Sequence, residues 1–310
     1  TKYFPPVFNQ DGGSCGSASR IAYMFNHEIN AFRHVDGSLE ENQYPTHFTW
    51  LLTNCGSNKE TIAMNNGVPN VPTYGGRTFS GLFGNQDCSA PDFGWMQGYD
   101  RWYQAMFNRV DHNANLPVSV ESEEGREALK RWLYNHNGDT DYATGGIAGI
   151  GLASGGYWKD IADDPQGVNK EIGMVGKKYV SRWGKGVDHA LTIVGWDDRI
   201  VFDLNGNGIY GEKDADEIGA WIIVNSWGSG WCNNGFIYCP YRNAVSVSTP
   251  DNAAEESKNP GGDWSWTPNS GNYYKPEIYY IRKNYRPLRT IKIRMSYSHR
   301  SEIQVQAGIS

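Results

Sequence analysis

Thiol, imidazole and carboxamide side chains can build a nucleophile, a base and an orienting group, and this chain presents them in three segments in that order. The first is Pro6-Val7-Phe8-Asn9-Gln10-Asp11-Gly12-Gly13-Ser14-Cys15-Gly16-Ser17-Ala18, leading straight into an amphipathic helix. A thiol at a helix N-terminus feels the positive end of the dipole, which favours the thiolate form. The second is Val187-Asp188-His189-Ala190-Leu191-Thr192-Ile193-Val194-Gly195-Trp196, with an imidazole at the head of an apolar strand. Such a ring can take the thiol proton and later deliver it to a leaving amine. The third is Trp221-Ile222-Ile223-Val224-Asn225-Ser226-Trp227-Gly228-Ser229-Gly230-Trp231, whose Asn225 carboxamide can fix the ring's tautomer. Gln10 precedes Cys15 closely enough to set a side-chain N–H beside the backbone N–H of Cys15, two donors for an oxyanion.

These segments resemble the papain-like cysteine peptidases, matching the family's Cys, His and Asn segments in order. Asn225-Ser226-Trp227-Gly228-x-Gly230-Trp231 is the most specific match, to an Asn-Ser-Trp-Gly-x-x-Trp pattern. Asp188-His189-Ala190, followed by an apolar strand and Gly195, comes next. The resemblance spans about residues 3–240 and implies a two-lobed α+β fold, helical lobe against β-rich lobe. It implies hydrolysis of peptide or protein substrates by Cys15, His189, Asn225 and Gln10. It further implies substrate contacts at Gly56 and Ser57, and at Asp188 and Trp227, the latter also shielding the His–Asn bond.

Two departures from the family pattern stand out. The family's Cys-Gly-Ser-Cys-Trp can be laid over Cys15-Gly16-Ser17-Ala18, which puts Ala18 where the nucleophile belongs and makes the chain an inactive scaffold for surface binding. The other frame keeps Gly13-Ser14-Cys15 as the nucleophile segment, with Gly16 in place of Trp, and its Gln10 spacing is the better one. A Cys-His amidase or acyltransferase is a further reading of the same residues. The stretch from Cys15 to His189 and on to Asn225 also exceeds the family's roughly 130–150 residues, so both lobes carry insertions.

One insertion has a chemistry of its own. Asp203-Leu204-Asn205-Gly206-Asn207-Gly208-Ile209-Tyr210-Gly211-Glu212-Lys213-Asp214 places oxygen side chains at loop positions one, three and five, Gly at six and an acid at twelve. It resembles dockerin-type calcium loops. Asp203, Asn205, Asn207, the Ile209 carbonyl and Asp214 are the expected ligands of a structural calcium ion; a plain polar turn is the other reading.

The elements that must position these residues can be read from periodicity. Ile21, Phe25, Ile29 and Phe32 form one stripe of the helix after Cys15, which Asp36-Gly37 ends. Helices are expected around 47–53, 99–110 and 123–136, then buried strands at 146–153, 190–196 and 220–225. Helices first and strands after give an α+β chain, read as a catalytic domain over 1–247, a polar linker over 248–275 and a short β-rich extension over 276–310. There Ile291, Ile293 and Met295 alternate, as do Ile303, Val305 and Ala307.

Composition narrows the partners. With 28 Lys and Arg against 34 Asp and Glu the net charge is −6, which offers no basic field for nucleic acid. No run approaches the roughly 18 apolar residues of a membrane span. Of the five cysteines, Cys55/Cys88 and Cys232/Cys239 can pair and leave Cys15 free, the latter pair as facing positions on a hairpin around Asn233-Asn234-Gly235. Bridges would place the protein outside the cytosol, secreted, periplasmic or on a bacterial surface, whereas five reduced thiols would fit the cytosol.

Overall fold

The computed structural model describes residues 1–53, 55–56, 59–75, 96–152, 154–183, 188–244 and 275–283, together with 296 and 298. Its first helical run opens with α1, Cys15–Ser17, winds as a π-helix through Ala18–Phe25, and closes with α2, Asn26–Arg33. Ile21, Phe25 and Ile29 of the expected stripe are fully buried, and Phe32 packs at the edge of the same cluster. The run stops where His34 turns left-handed at φ 59°, its N–H on the Asn30 carbonyl. Three short helices follow: α3, Thr46–Leu52; α4, Lys59–Asn65; and α5, Tyr99–Ala105.

The expected helix over 99–110 is shorter than its pattern, because Val110–Asn115 leaves it to form strand β1. Helix α6, Glu123–Asn135, begins at Ser122, whose Oγ accepts the Gly125 N–H at 3.1 Å. Beyond it come β2, Ala148–Leu152; β3, Gly156–Asp160; helix α7, Val168–Glu171; β4, Lys178–Trp183; β5, His189–Val201; β6, Ile218–Val224; β7, Phe236–Pro240; and β8, Glu277–Ile281. The eight strands form one sheet in the order β1-β8-β2-β5-β6-β7-β4-β3, antiparallel except where β4 meets β7. The fold is α+β, with helices on both sides of this sheet. Among the described residues no helix is long and apolar enough to cross a membrane.

Strand alternation explains how the sheet serves two helical layers. In β2, Ala148, Ile150 and Leu152 face Leu129, Trp132 and Leu133 of α6. The alternate positions, Gly149 and Gly151, leave the opposite face bare, and the first helix settles into that space. A Cβ on Gly149 would lie 2.2 Å from Arg20 Nη1 and 2.6 Å from Met24 Sδ. The glycine is therefore a close-approach position, not a weak spot in the strand.

Two expectations are corrected here. Residues 277–281, expected in a short β-rich extension, form a strand inside the main sheet, hydrogen-bonded between β1 and β2. The reason is electrostatic as well as apolar. Glu277 accepts from Arg20 Nε at 2.5 Å and from Asn113 Nδ2 at 2.6 Å, so a buried cation on the first helix requires this strand. The alternating runs at 291–295 and 303–307 and the linker over 248–274 lie outside the described residues.

Cys232 and Cys239 are free thiols, not a bridge. The hairpin is tighter than its composition implied: Asn233 pairs with Phe236, so Cys232 faces the neighbourhood of Ile237, while Cys239 pairs with Trp221 on β6. Burial pushes the Cys239 thiol up to about 12, which makes it an inert core side chain. Cys88 lies outside the described residues, and with it the expected pairing with Cys55.

The Arg20–Glu277 pair makes a quantitative expectation. Glu277→Ala strands a fully buried guanidinium and should cost roughly 3–5 kcal/mol in denaturant unfolding. Arg20→Met combined with Glu277→Leu should cost clearly less than the single change, because no orphaned charge remains.

Candidate active site

His189 opens β5, and Asn225 follows the last residue of β6. Antiparallel pairing of Thr192 with Val224 brings both to the same end of one hairpin. The Asn225 Oδ1 accepts the Ser226 backbone N–H at 2.7 Å, which identifies it as the oxygen. His189 Nε2 lies 2.8 Å from the same atom and must donate. In the neutral ring Nδ1 is then the atom with the free lone pair, able to accept a proton. Trp227 stacks on the imidazole at 4.8 Å between centroids, and Trp231 meets Trp227 edge-on at 5.7 Å. Burial lowers the His189 pKa below its ordinary 6.5, partly offset by the Asn225 bond and by Asp188.

Cys15 is delivered to this hairpin by the first helix. Ser19, one turn further on, donates from Oγ to the Leu191 carbonyl at 2.6 Å and meets Thr192 Oγ1 at 2.8 Å. Cys15 stands about 6 Å along the helix from that junction, and His189 about 6–7 Å along the strand. The Cys15–Ser17 turn itself packs against β5. Of the two alignment frames, the geometry favours one: Cys15 is the first helical residue and retains 7% exposure, whereas Ala18 is completely covered. Ala18 donates its N–H to Ser14 at 2.8 Å, the first bond of the helix, which leaves the Cys15 N–H ahead of the ladder.

Gln10 is fastened to the Asn225 segment. Its backbone N–H reaches Ser226 O at 2.7 Å, and its side-chain oxygen accepts from Ser226 Oγ at 2.5 Å. One amide hydrogen goes to the Gly12 carbonyl at 2.5 Å, and the second is available to a ligand. Asp11 ties the same loop to α3 through His47 Nε2 at 3.0 Å. The structure thus gathers His189, Asn225, Gln10 and Trp227 at one end of the hairpin, with the Cys15–Ser17 turn packed against β5.

The other expected residues are placed differently. Asp188 is exposed, and its carboxylate is occupied by the Ser154 backbone N–H at 2.5 Å and Ser154 Oγ at 2.8 Å, closing the ends of β2 and β5. Gly56 sits in the turn after α3, bonded to Thr53; Ser57 lies outside the described residues. Asp203, Asn205 and Asn207 share one turn of the loop joining β5 to β6, far from the thiol end of the hairpin. Ile209 and Asp214 are exposed.

Sequence reasoning passed over two residues near the thiol. Lys59 is fully buried, and a Cβ on Gly16 would lie 3.3 Å from its Nζ. The family's Trp at position 16 is missing, and the Lys59 side chain takes the space, with Glu60 at 2.9 Å. Glu60 in turn accepts from Tyr279 of β8 at 3.3 Å. An apolar stripe reading gives no weight to a lysine at a helix start, so only the glycine after Cys15 hinted at this.

The geometry places an imidazole and a carboxamide in contact at one end of the hairpin, with the first helix carrying Cys15 packed against the same strand. Residues 167–253, which carry His189, Asn225 and Trp227, match the family model described as papain family cysteine protease. No curated protein matches the chain. Among solved structures, the chain is similar to the proform of the ragweed pollen cysteine protease Amb a 11, with 15% identity, a TM-score of 0.44, and 91% of this chain and 63% of that one covered. It is similar to bromelain from Ananas comosus, with 14% identity, a TM-score of 0.43, and coverage of 90% and 95%. Xylellain from Xylella fastidiosa gives 13% identity, a TM-score of 0.42, and coverage of 77% of each chain.

A neutral buried imidazole leaves a pH signature. Because the folded pKa is depressed, the unfolded chain binds the His189 proton more readily just below pH 6.5. The contribution to stability is therefore complete above that pH and is lost as pH falls toward the folded value. In an NMR titration of the folded protein, the His189 ring should change charge below 6.5; a midpoint above it would contradict the burial argument.

Proposed function

We propose that the protein is a cysteine peptidase that cleaves peptide bonds through a thioacyl-enzyme. The observation that carries the reading is the 2.8 Å bond from His189 Nε2 to Asn225 Oδ1, because it commits Nδ1 to act as the base. Cys15 Sγ attacks the substrate carbonyl carbon while its proton passes to Nδ1 of His189. The carbonyl oxygen becomes an oxyanion, stabilised by the Cys15 N–H and the second amide hydrogen of Gln10. As the tetrahedral species collapses, the protonated ring gives its proton to the leaving amine, and the C–N bond breaks. Water then attacks the thioester with His189 as base, releasing the acid and restoring the thiol. Trp227 covers the His–Asn bond, so the ring stays aligned while it carries charge.

The family match over residues 167–253 supports this reading for the His and Asn half of the site. A location outside the cytosol now rests on pairing of Cys55 with Cys88, since Cys232 and Cys239 are free. Mass spectrometry of unreduced protein after alkylation should count three blocked thiols if that pair is joined and five if it is not.

Cleavage of an unstructured protein substrate tests the chemistry. Cys15→Ala should abolish turnover while leaving the melting temperature within about 2 °C of the native protein. Asn225→Ala should be milder, at or below the roughly 10²–10⁴-fold that a positioned acid–base contributes, since nucleophile and base both remain. Undiminished cleavage by Cys15→Ala would sink the mechanism.

A further inference from the structure

The loop between β5 and β6 was expected to close a calcium site with Asp214. That residue is exposed and makes no hydrogen bond to the loop among the described residues. A different carboxylate occupies the base of the loop. Glu217 is completely buried, and its Oε1 accepts the backbone N–H groups of Leu204 at 2.7 Å and Asn205 at 3.0 Å. Its other oxygen, Oε2, is buried with no hydrogen-bond partner. An unpaired carboxylate oxygen removed from water is costly, and it calls for a donor or a cation.

We infer that this loop binds one calcium ion, with Glu217, rather than Asp214, as the closing carboxylate, together with Asp203, Asn205 and Asn207. The loop is already wound for it. Asp203 Oδ1 accepts from Gly206 at 2.8 Å and Asn207 at 3.1 Å, and Oδ2 accepts from Gly208, the sixth position, at 2.9 Å. Gly206 and Gly208 take φ of 76° and 82°, which only glycine adopts without strain. Glu212 Oε2 accepts from the amide nitrogens of Asn205 at 2.9 Å and Asn207 at 2.7 Å. Because both nitrogens turn toward Glu212, both amide oxygens turn away from it, and each keeps a lone pair beyond its single turn bond. Glu212 is thus a positioning residue that acts through the two amides.

Tyr179 packs against Phe202, the residue before Asp203, with ring centroids 4.9 Å apart. No three His, Cys, Asp or Glu side chains converge among the described residues; the proposed donor set is two carboxylates plus neutral amide oxygens. An all-oxygen set of low charge suits calcium better than magnesium or zinc, and at modest affinity. The hairpin base explains why the sequence pattern misled: Phe202 donates its N–H to the Glu217 carbonyl at 2.9 Å, which carries Glu217 under Asp203, while the intervening residues bulge outward.

The full chain, stripped of metal with a chelator and dialysed, is titrated with calcium while melting is followed. A dissociation constant on the order of 10 µM would raise the melting temperature by about 5 °C at 1 mM calcium, with little response to magnesium. Terbium is the second probe, since Tyr179 and Tyr210 can sensitise its emission at this site. Glu217→Gln keeps the Leu204 and Asn205 bonds, and should weaken terbium and calcium binding at least tenfold; Glu217→Asp should give an intermediate loss if the amide variant fails to fold. Asp214→Asn should bind as the native chain does. Native protein indifferent to calcium and terbium overturns the inference, as does binding lost in Asp214→Asn but kept in Glu217→Gln. Because the readouts are melting and luminescence, the result is independent of peptidase activity.

Discussion

A short polar junction joins the first helix to the central hairpin, and the rest of the molecule is arranged around it. Ser19 bonds to the Leu191 carbonyl and to Thr192, while its neighbour Arg20 reaches Glu277. Two adjacent residues of one helical turn thus hold three strands: β5 through Ser19, β8 through Glu277, and β2 through the bare glycine face that admits Arg20. A wholly apolar contact would tolerate sliding, whereas directional bonds at 2.5–2.8 Å, that of Arg20 to Glu277 charge-assisted, fix register and rotation together. For a site split between a helix and a sheet, that register is the requirement.

The junction also explains the distribution of tasks around the site. The hairpin of β5 and β6 carries both His189 and Asn225, and Tyr23 of the first helix donates to the Asn225 carbonyl at 3.1 Å. Gln10 belongs to the same unit through two bonds to Ser226, though it sits before the helix in sequence. Cys15 lies on the first helix, one turn before the Ser19 contact with β5. The π-helical winding over Ala18–Phe25 begins within that turn, a local departure from the α pattern of the kind found where helix geometry is adjusted for function.

Polar groups in the interior are managed by pairing. Arg20 has Glu277, His136 is held by Glu28 and by the Thr144 carbonyl at 2.6 Å, and His27 meets the Gly145 carbonyl at 2.9 Å. His136 is thereby satisfied through both ring nitrogens, and His27 through Nε2 alone. Arg20 Nη2 and His27 Nδ1 are each left without a partner, and so is Oε2 of Glu217, which lies at the foot of an oxygen-rich loop.

How much of this was legible in the chain depended on the range of the physics involved. Local patterns were enough for the helix after Cys15, for α6, and for β2, β5 and β6, since amphipathic stripes and apolar runs repeat within a few residues. The order Cys15, His189, Asn225 and the Asn225–Trp231 segment were visible because a tautomer-fixing amide and its aromatic cover need fixed spacing. What only the tertiary structure decided were pairings across long separations. Glu277 serves a helix more than two hundred residues earlier, so β8 joins the sheet although its polar surroundings read as a tail. Cys232 and Cys239 lost their bridge to a turn register that composition does not encode. Glu217 came under Asp203 only when a hairpin closed at Phe202. In each case the deciding term was a partner brought close by folding, which a one-dimensional pattern does not contain.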